Sequence, residues 1–378
     1  QPDLTLTICS PCSETKDYEV FKKDGITYIL FEPMLYQETY DELIYGILHE
    51  NGRPDLIHIH GTEKAHSYHF MMYIDTLKIK HVITIQGLIH VIANHYLEGI
   101  PKNIYKGHTL RDFLKGDNLL DQQKKLEERG QFEIKSLLKA RHIIGRTRWD
   151  KRYISSINPR ATYHKVNETL RKSFYENRWD LKNVEKHSLF IAQGTYPYKG
   201  LHYALKAVFL LKDDYPNIKL YVAGHNPFTE KGFKNSLRRQ SYTKYIIKLM
   251  KSYRLKNHVM FLGLLSESHM IKRYLKSHVA VVASTIENSS NSVGEAMLLG
   301  MPVVASDAGG TPDLFKDHSE GVLFPSGDVY GLAAAIKKIF EDDYFARPLP
   351  GKVNLREGLI NKKIKKFRIY LRCIRKLI

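Results

Sequence analysis

The feature that most limits what this chain can fold into is an alternation: short apolar runs bounded by turn residues give way repeatedly to longer stretches of helical period. Parallel strands buried on both faces read as continuous apolar runs, and each needs a crossover, usually a helix, to bring the chain back, so this pattern marks an α/β protein. In the first half the expected strands are residues 4–9, 26–31, 56–60, 81–86, 142–145 and 162–166, with a long helix over residues 120–140. A second series follows at residues 188–192, 219–223, 259–262, 279–283, 302–305 and 321–324, again with helical segments between. Residues 168–187 are polar and charged and lack a strand pattern, which places a domain boundary there. The expected organisation is a first domain over 1–170, a second over 187–345 and a C-terminal tail over 346–378. Two open parallel sheets in tandem create a cleft between their strand ends, where ligands of doubly wound folds bind.

At 378 residues the chain exceeds the size at which a single core stops growing, in keeping with two domains. No stretch approaches the roughly 20 apolar residues of a membrane span, and no charged-then-apolar signal segment opens the chain. The chain starts at Gln1 and runs almost at once into the apolar residues 4–9, so the first domain is expected to lack an opening strand and helix. The net charge of +18 favours acidic partners: nucleotide phosphates, anionic lipid, nucleic acid or acidic polysaccharide. Nucleic acid is not expected, because no zinc, aromatic-sheet or helix-turn-helix signature accompanies the charge. Of the 3 cysteines, Cys9 and Cys12 form a lone C-S-P-C without a second pair to complete a zinc site, and a reducing cytoplasm suits them.

Two basic segments need an account. Residues 234–256 carry no acid and precede a strand as a crossover helix does, so they read as a solvated face. Residues 352–378 hold Glu357 as their only acid, and Ile360, Ile364, Phe367, Leu371, Ile374 and Ile378 form one apolar stripe on a basic helix. Such a helix suits an anionic membrane surface, and equally packing on the domain with a solvated basic face.

The loops after strands carry the chemistry. Three stand out: His58, His60 and Gly61; Gln86 and Gly87; and the run from Glu287 to Glu295. In the last, small and polar residues lead into a short helix ending near Gly300. Its first N–H groups suit a diphosphate, whose charge the helix dipole also favours. Glu295, inside the helix, is placed to accept hydrogen bonds from a ribose, and Glu287, on the loop, to face a sugar. The plainer alternative is that Glu287 is a solvated carboxylate and that Asn291 or Ser292 only caps the helix. Downstream, Gly300-Met301-Pro302-Val303-Val304-Ala305-Ser306 leads to Gly309-Gly310, a strand and a glycine-rich loop at the same cleft.

This segment resembles the E-x(7)-E signature of the retaining glycosyltransferases of family four, with their G-x-P-V-V-A-S and G-G continuation. The resemblance implies the GT-B fold, two Rossmann-like domains facing a cleft. It implies that Glu287 lies near the transferred sugar, that Glu295 binds the nucleotide ribose, and that the backbone of Asn291, Ser292 and Val293 holds the diphosphate. A second match, Gly194-Thr195-Tyr196-Pro197-Tyr198-Lys199-Gly200, resembles the family's K-G turn and makes Lys199 the cation for the donor diphosphate, with Gly194 and Thr195 beside it. Residues 55–61 and 221–224 are similar to strand ends of the family's two domains, so the likeness runs from about residue 4 to about residue 340.

The chain departs from the family at two positions. A family histidine in a T-x-H-G turn is here Gln86, which can orient a sugar or acceptor but cannot act as a base, leaving His58 or His60 to contribute; each histidine equally fits a structural role. An arginine common after the family's first glycine is here Thr195, so a second cationic contact is absent or comes from elsewhere. The function implied is metal-independent hexosyl transfer, with retained configuration, from a UDP- or GDP-type nucleotide sugar to a glycan or lipid-linked acceptor. A bacterial polysaccharide or lipopolysaccharide pathway is the setting implied, in the cytoplasm or on the inner face of the plasma membrane. The nucleotide sugar is a substrate, so no cofactor is expected, and no D-x-D must be assigned to a metal. The alternatives are a nucleotide-sugar epimerase or hydrolase on the same architecture, and a donor-binding protein without turnover.

Overall fold

The computed structural model describes residues 5–16, 18–32, 38–107, 109, 111–112, 116–166, 168–228, 240–314 and 321–342. The basic tail over 352–378 lies outside these residues, as do residues 234–239 of the other basic run.

The first half contains β1 (Leu6–Pro11), β2 (Tyr18–Lys23), β3 (Ile26–Phe31), α1 (Glu38–Asn51), β4 (Leu56–His60), α2 (Ala65–Thr76), β5 (Lys80–Thr84), α3 (Ile89–His95), α4 (Lys102–Tyr105), α5 (Leu119–Lys139), β6 (His142–Gly145), α6 (Arg148–Ile157) and β7 (Thr162–Lys165). In the second half come α7 (Lys172–Glu176), β8 (Glu185–Ile191), α8 (Leu201–Leu211), β9 (Lys219–Ala223), α9 (Ser241–Ser252), β10 (Val259–Gly263), α10 (Glu267–Lys276), β11 (Ser277–Val282), α11 (Asn291–Leu299), β12 (Val303–Ser306), β13 (Val322–Phe324) and α12 (Val329–Glu341).

Three sheets result. A four-stranded parallel sheet, β4-β5-β6-β7, and a three-stranded sheet, β1-β3-β2, make up the first half, with β2 antiparallel to β3. Both sheets feed one core, in which Ile29 and Phe31 of β3 join Ile59, Ile83 and Ile143. The second half is a six-stranded parallel sheet in the order β10-β9-β8-β11-β12-β13. Its strands alternate between two buried faces: Leu189, Ile191, Leu220, Val222, Val279 and Val281 pack on one side, and Phe190, Tyr221, Ala280, Val282 and Val303 on the other. Burial on both faces is why these strands read as unbroken apolar runs.

Twelve of the expected strands match strands of the structure, to within a few residues at each end. The exception is β2, which the sequence did not announce: five of its six residues are exposed, so no apolar run marks it. The stretch expected to be strandless, 168–187, holds α7, and β8 begins inside it at Glu185, three residues earlier than the apolar pattern. Strand polarity there is tolerated because the added residues Glu185 and His187 are partly exposed. The described part of the 234–256 run is chiefly α9, whose Lys244, Lys248 and Lys251 point to solvent, as expected.

The two halves touch through segments of the first that reach across. Tyr96, Ile100 and Leu119 are buried in the core of the six-stranded sheet's helices. Thr285 donates its hydroxyl to the carbonyl of His95, and Arg148 pairs with Asp313 through its main-chain N–H and its Nε. Burial pushes the Asp313 pKa up, but the hydrogen bonds from Arg148 outweigh it and hold the carboxyl below its ordinary range.

Candidate active site

In the six-stranded sheet the strand order reverses between β8 and β11, and helices leave these two strands on opposite faces. A crevice opens at such a point beyond the carboxyl ends of the strands. The loops after β8 and β11 are the ones that carry Lys199 and Glu287.

After β8 the chain makes a 3-10 turn over Pro197–Lys199 and enters α8 through Gly200, at φ 72°. A Cβ on Gly200 would stand 1.8 Å from the carbonyl oxygen of Ala283, so the lysine's neighbour must be glycine for the turn to lie against β11. Lys199 Nζ then donates to Glu287 Oε1 at 2.6 Å, and Ser284 Oγ donates to the same oxygen at 2.8 Å. Burial pulls the Lys199 ammonium down, but the Glu287 carboxylate, with Tyr198 and the hydrogen bond itself, outweighs it and raises its pKa above the usual lysine value. The lysine is therefore a fixed positive charge, further faced by the Tyr198 ring at 5.1 Å. The glycine pair has an equally plain reason. Gly310 N–H donates to the Glu287 carbonyl at 2.8 Å, and Cβ atoms on Gly309 and Gly310 would lie 2.0 Å from the carbonyl oxygens of Glu287 and Asn288. The G-G loop thus packs directly on the main chain that carries Glu287.

α11 starts from Ser290, whose side chain makes no capping bond, and neither Asn291 nor Ser292 is the N-cap. Val293 has its side chain in the core, so only its main chain can meet a ligand. A small open pocket brings together Lys199, Glu287, Ser290 and Ser292 with Gln193 and Ser284. Gly194 and Thr195 line a separate small pocket with His225 and Phe261. The Thr195 hydroxyl accepts from the His225 N–H at 3.0 Å, so it ties the loop after β8 to the loop after β9. Glu295 lines neither pocket. Its carboxylate is 9% exposed, takes a 2.5 Å bond from Arg171 and accepts from the Tyr274 hydroxyl at 3.3 Å. Burial raises its pKa above the ordinary carboxylate value, and Arg171 and Tyr274 oppose that rise only in part.

Across the cleft, Gln86 follows β5. Its Oε1 accepts from Arg146 at 2.5 Å, and the other amino group of Arg146 reaches Glu168 at 2.7 Å. His58 bonds Thr84 within the sheet and is held neutral by burial and by His60, its pKa lowered to about 3. The surface of His60 is exposed, but the protein packed around its ring still partly desolvates it and lowers its pKa, with Glu168 raising it and Arg146 lowering it further. The loop after β6 meets the motif directly, since Thr147 Oγ1 donates to Asn288 Oδ1 at 3.1 Å.

The family model described as Glycosyl transferases group 1 matches residues 173–365, just over half of the chain. The chain belongs to that family. An uncharacterized glycosyltransferase of Methanocaldococcus jannaschii is 26% identical over 162 residues, which cover 43% of this chain and 37% of that relative. The chain thus matches little more than a third of that relative's length. Among solved structures, sucrose-phosphate synthase from Thermosynechococcus elongatus superposes with a TM-score of 0.71 at 16% identity, covering 98% of this chain and 88% of that one. HepE of Anabaena, solved in complex with UDP, gives a TM-score of 0.65 at 14% identity over 93% of this chain and 85% of that one. The fold of this family member is GT-B, two Rossmann-like domains facing a cleft.

Several residues in and around the cleft carried no signal that the sequence reading used: Arg146, Thr147, Asn288, Arg171 and Tyr274. Arg146 and Thr147 follow strand β6 and could have been found by searching every loop after a strand. Arg171 and Tyr274 have no such signal, since only the folded chain brings the linker and α10 to Glu295.

Proposed function

We propose that this group 1 glycosyltransferase moves a hexosyl group from a nucleotide-diphosphate sugar to a glycan or lipid-linked acceptor, with retained anomeric configuration. One observation carries this most: Lys199, Glu287, Ser290 and Ser292 converge on one pocket at the reversal of strand order, at the uncapped start of α11. A diphosphate is what a fixed ammonium and free helical N–H groups bind together, and charge grows on its leaving oxygen during transfer, where such groups lower the barrier. In this assignment Lys199 and the main chain of Asn291, Ser292 and Val293 take the phosphates, Glu287 faces the sugar and Glu295 the ribose. The acceptor hydroxyl attacks the anomeric carbon from the face that the diphosphate leaves, the bond to the phosphate oxygen breaks, and the departing diphosphate takes the proton. Gln86, oriented by Arg146, contributes hydrogen bonding to sugar or acceptor. UDP is the first nucleotide to test, given the UDP complex of HepE.

The test is product analysis with UDP- and GDP-hexoses and a panel of glycan and lipid-linked acceptors. Glu287→Ala should lower turnover with little change in nucleotide affinity, and EDTA should leave turnover unchanged. Release of free hexose alone would make the chain a hydrolase, a converted donor an epimerase, and affinity without turnover a binding protein.

A further inference from the structure

The contact that the motif does not explain is the one between Glu295 and Arg171. Arg171 belongs to the short segment between β7 and α7, where the chain passes from the first half to the second. That segment lies on α11: Leu170 fills the space beside Gly294, where a Cβ would come within 2.8 Å of it. Arg171 donates to Glu295 Oε1 at 2.5 Å, and its guanidinium also faces the ring of Phe174 at 5.0 Å and Glu267 Oε2 at 3.8 Å. Three residues earlier, Glu168 is held by Arg146 of the first half at 2.7 Å.

A carboxylate as buried as Glu295 keeps its charge only when paired and hydrogen-bonded. An ionised carboxylate has about four lone-pair sites, two on each oxygen. Arg171 takes one on Oε1, and the Tyr274 hydroxyl, which the Ser292 carbonyl shares, takes one on Oε2; among the described residues no other side chain bonds this carboxylate. Two vicinal hydroxyls, as on a ribose, supply a pair of donors for its two oxygens. We propose that Arg171 is a positioning residue for the nucleotide: from the linker it holds Glu295 charged and fixed, so that the carboxylate presents its two oxygens to the ribose diol. This rests on the assignment of Glu295 to the ribose. The charged and titratable groups facing Glu295 are Arg171 from the linker and Tyr274 and Glu267 from α10. Burial raises the Glu295 pKa and Arg171 is the strongest group opposing that rise, so loss of Arg171 moves protonation of Glu295 to still higher pH.

The experiment is calorimetric titration of UDP and GDP into the full chain and its Arg171→Gln, Arg171→Lys, Glu295→Ala and Arg171→Gln/Glu295→Ala variants, at pH 7.5 and 5.5. The inference expects Arg171→Gln to weaken the bound nucleotide by about tenfold at pH 7.5, the scale of one charge-assisted hydrogen bond, and by more at pH 5.5. Arg171→Lys should recover much of the loss, and the double variant should bind no more weakly than Glu295→Ala alone. Arg171→Gln binding as tightly as the wild type while Glu295→Ala binds weakly would overturn the role of Arg171 and leave the ribose assignment standing. Equal weakening by Arg171→Gln with and without Glu295 would also overturn it, as would Arg171→Gln losing affinity equally at both pH values. Glu295→Ala binding like the wild type would overturn both.

Discussion

Replacing Lys199 by methionine tests the pair at the centre of the cleft. The ammonium is 21% exposed and its partner carboxylate 11%, so the pair lies between a surface bridge, worth up to about 1 kcal/mol, and a fully buried one, whose breaking costs about 3–5 kcal/mol. Lys199→Met leaves Glu287 with only the Ser284 hydroxyl as a side-chain partner among the described residues, and a loss of about 2–3 kcal/mol is expected. Glu287→Gln keeps an oxygen that can accept from Lys199 and should cost less, about 1–2 kcal/mol. In the double variant no charge is stranded, so the two losses should fall short of their sum by about 1–2 kcal/mol. At roughly 2–4 °C per kcal/mol, Lys199→Met should melt about 4–12 °C below the wild type in scanning calorimetry. Single variants whose effects simply add would refute the pairing, and with it the claim that the first acid of the motif and the turn lysine act as one unit.

Gly200→Ala combines a positive φ with a clash against the Ala283 carbonyl oxygen. A loss of roughly 2–5 kcal/mol is expected from the two effects together, read as a fall in melting temperature; a variant as stable as the wild type would contradict the close packing of the turn on β11. His202 and His278 are buried, with pKa values lowered by burial to about 3 and about 4. The unfolded chain binds protons below about pH 6.5 that the folded one refuses, so stability is lost as pH falls from there toward 4, by up to about 1.4 kcal/mol per pH unit for each histidine. Melting temperatures that stay flat from pH 7.5 to 5 would argue against this burial.

The parts of this molecule legible in its sequence are those set by periodicity or by a spaced motif. The strands of the six-stranded sheet are apolar on both faces, so runs such as residues 219–223 announced themselves, whereas Tyr18–Lys23, an exposed edge strand, carried no such mark. Lys199, Glu287 and the G-G loop were legible because each is tied to a local backbone demand: a left-handed glycine at the turn, and two glycines pressed on the main chain of Glu287 and Asn288. Glu295 was legible as a carboxylate in a helix, but its environment was not. Arg171 lies 124 residues away in the chain and Tyr274 lies 21, and neither spacing is periodic. Gln86 shows the same limit, since what its amide does depends on Arg146, 60 residues further on.

The central claim is that Glu295 and the start of α11 bind the donor nucleotide. Calorimetric titration of UDP into the wild-type chain and into Glu295→Ala tests it most directly. The account predicts one saturable site in the wild type and affinity at least tenfold weaker in the variant, about what removing a charge-assisted hydrogen bond costs. Equal affinity in the two proteins would show that the nucleotide, if bound, lies elsewhere.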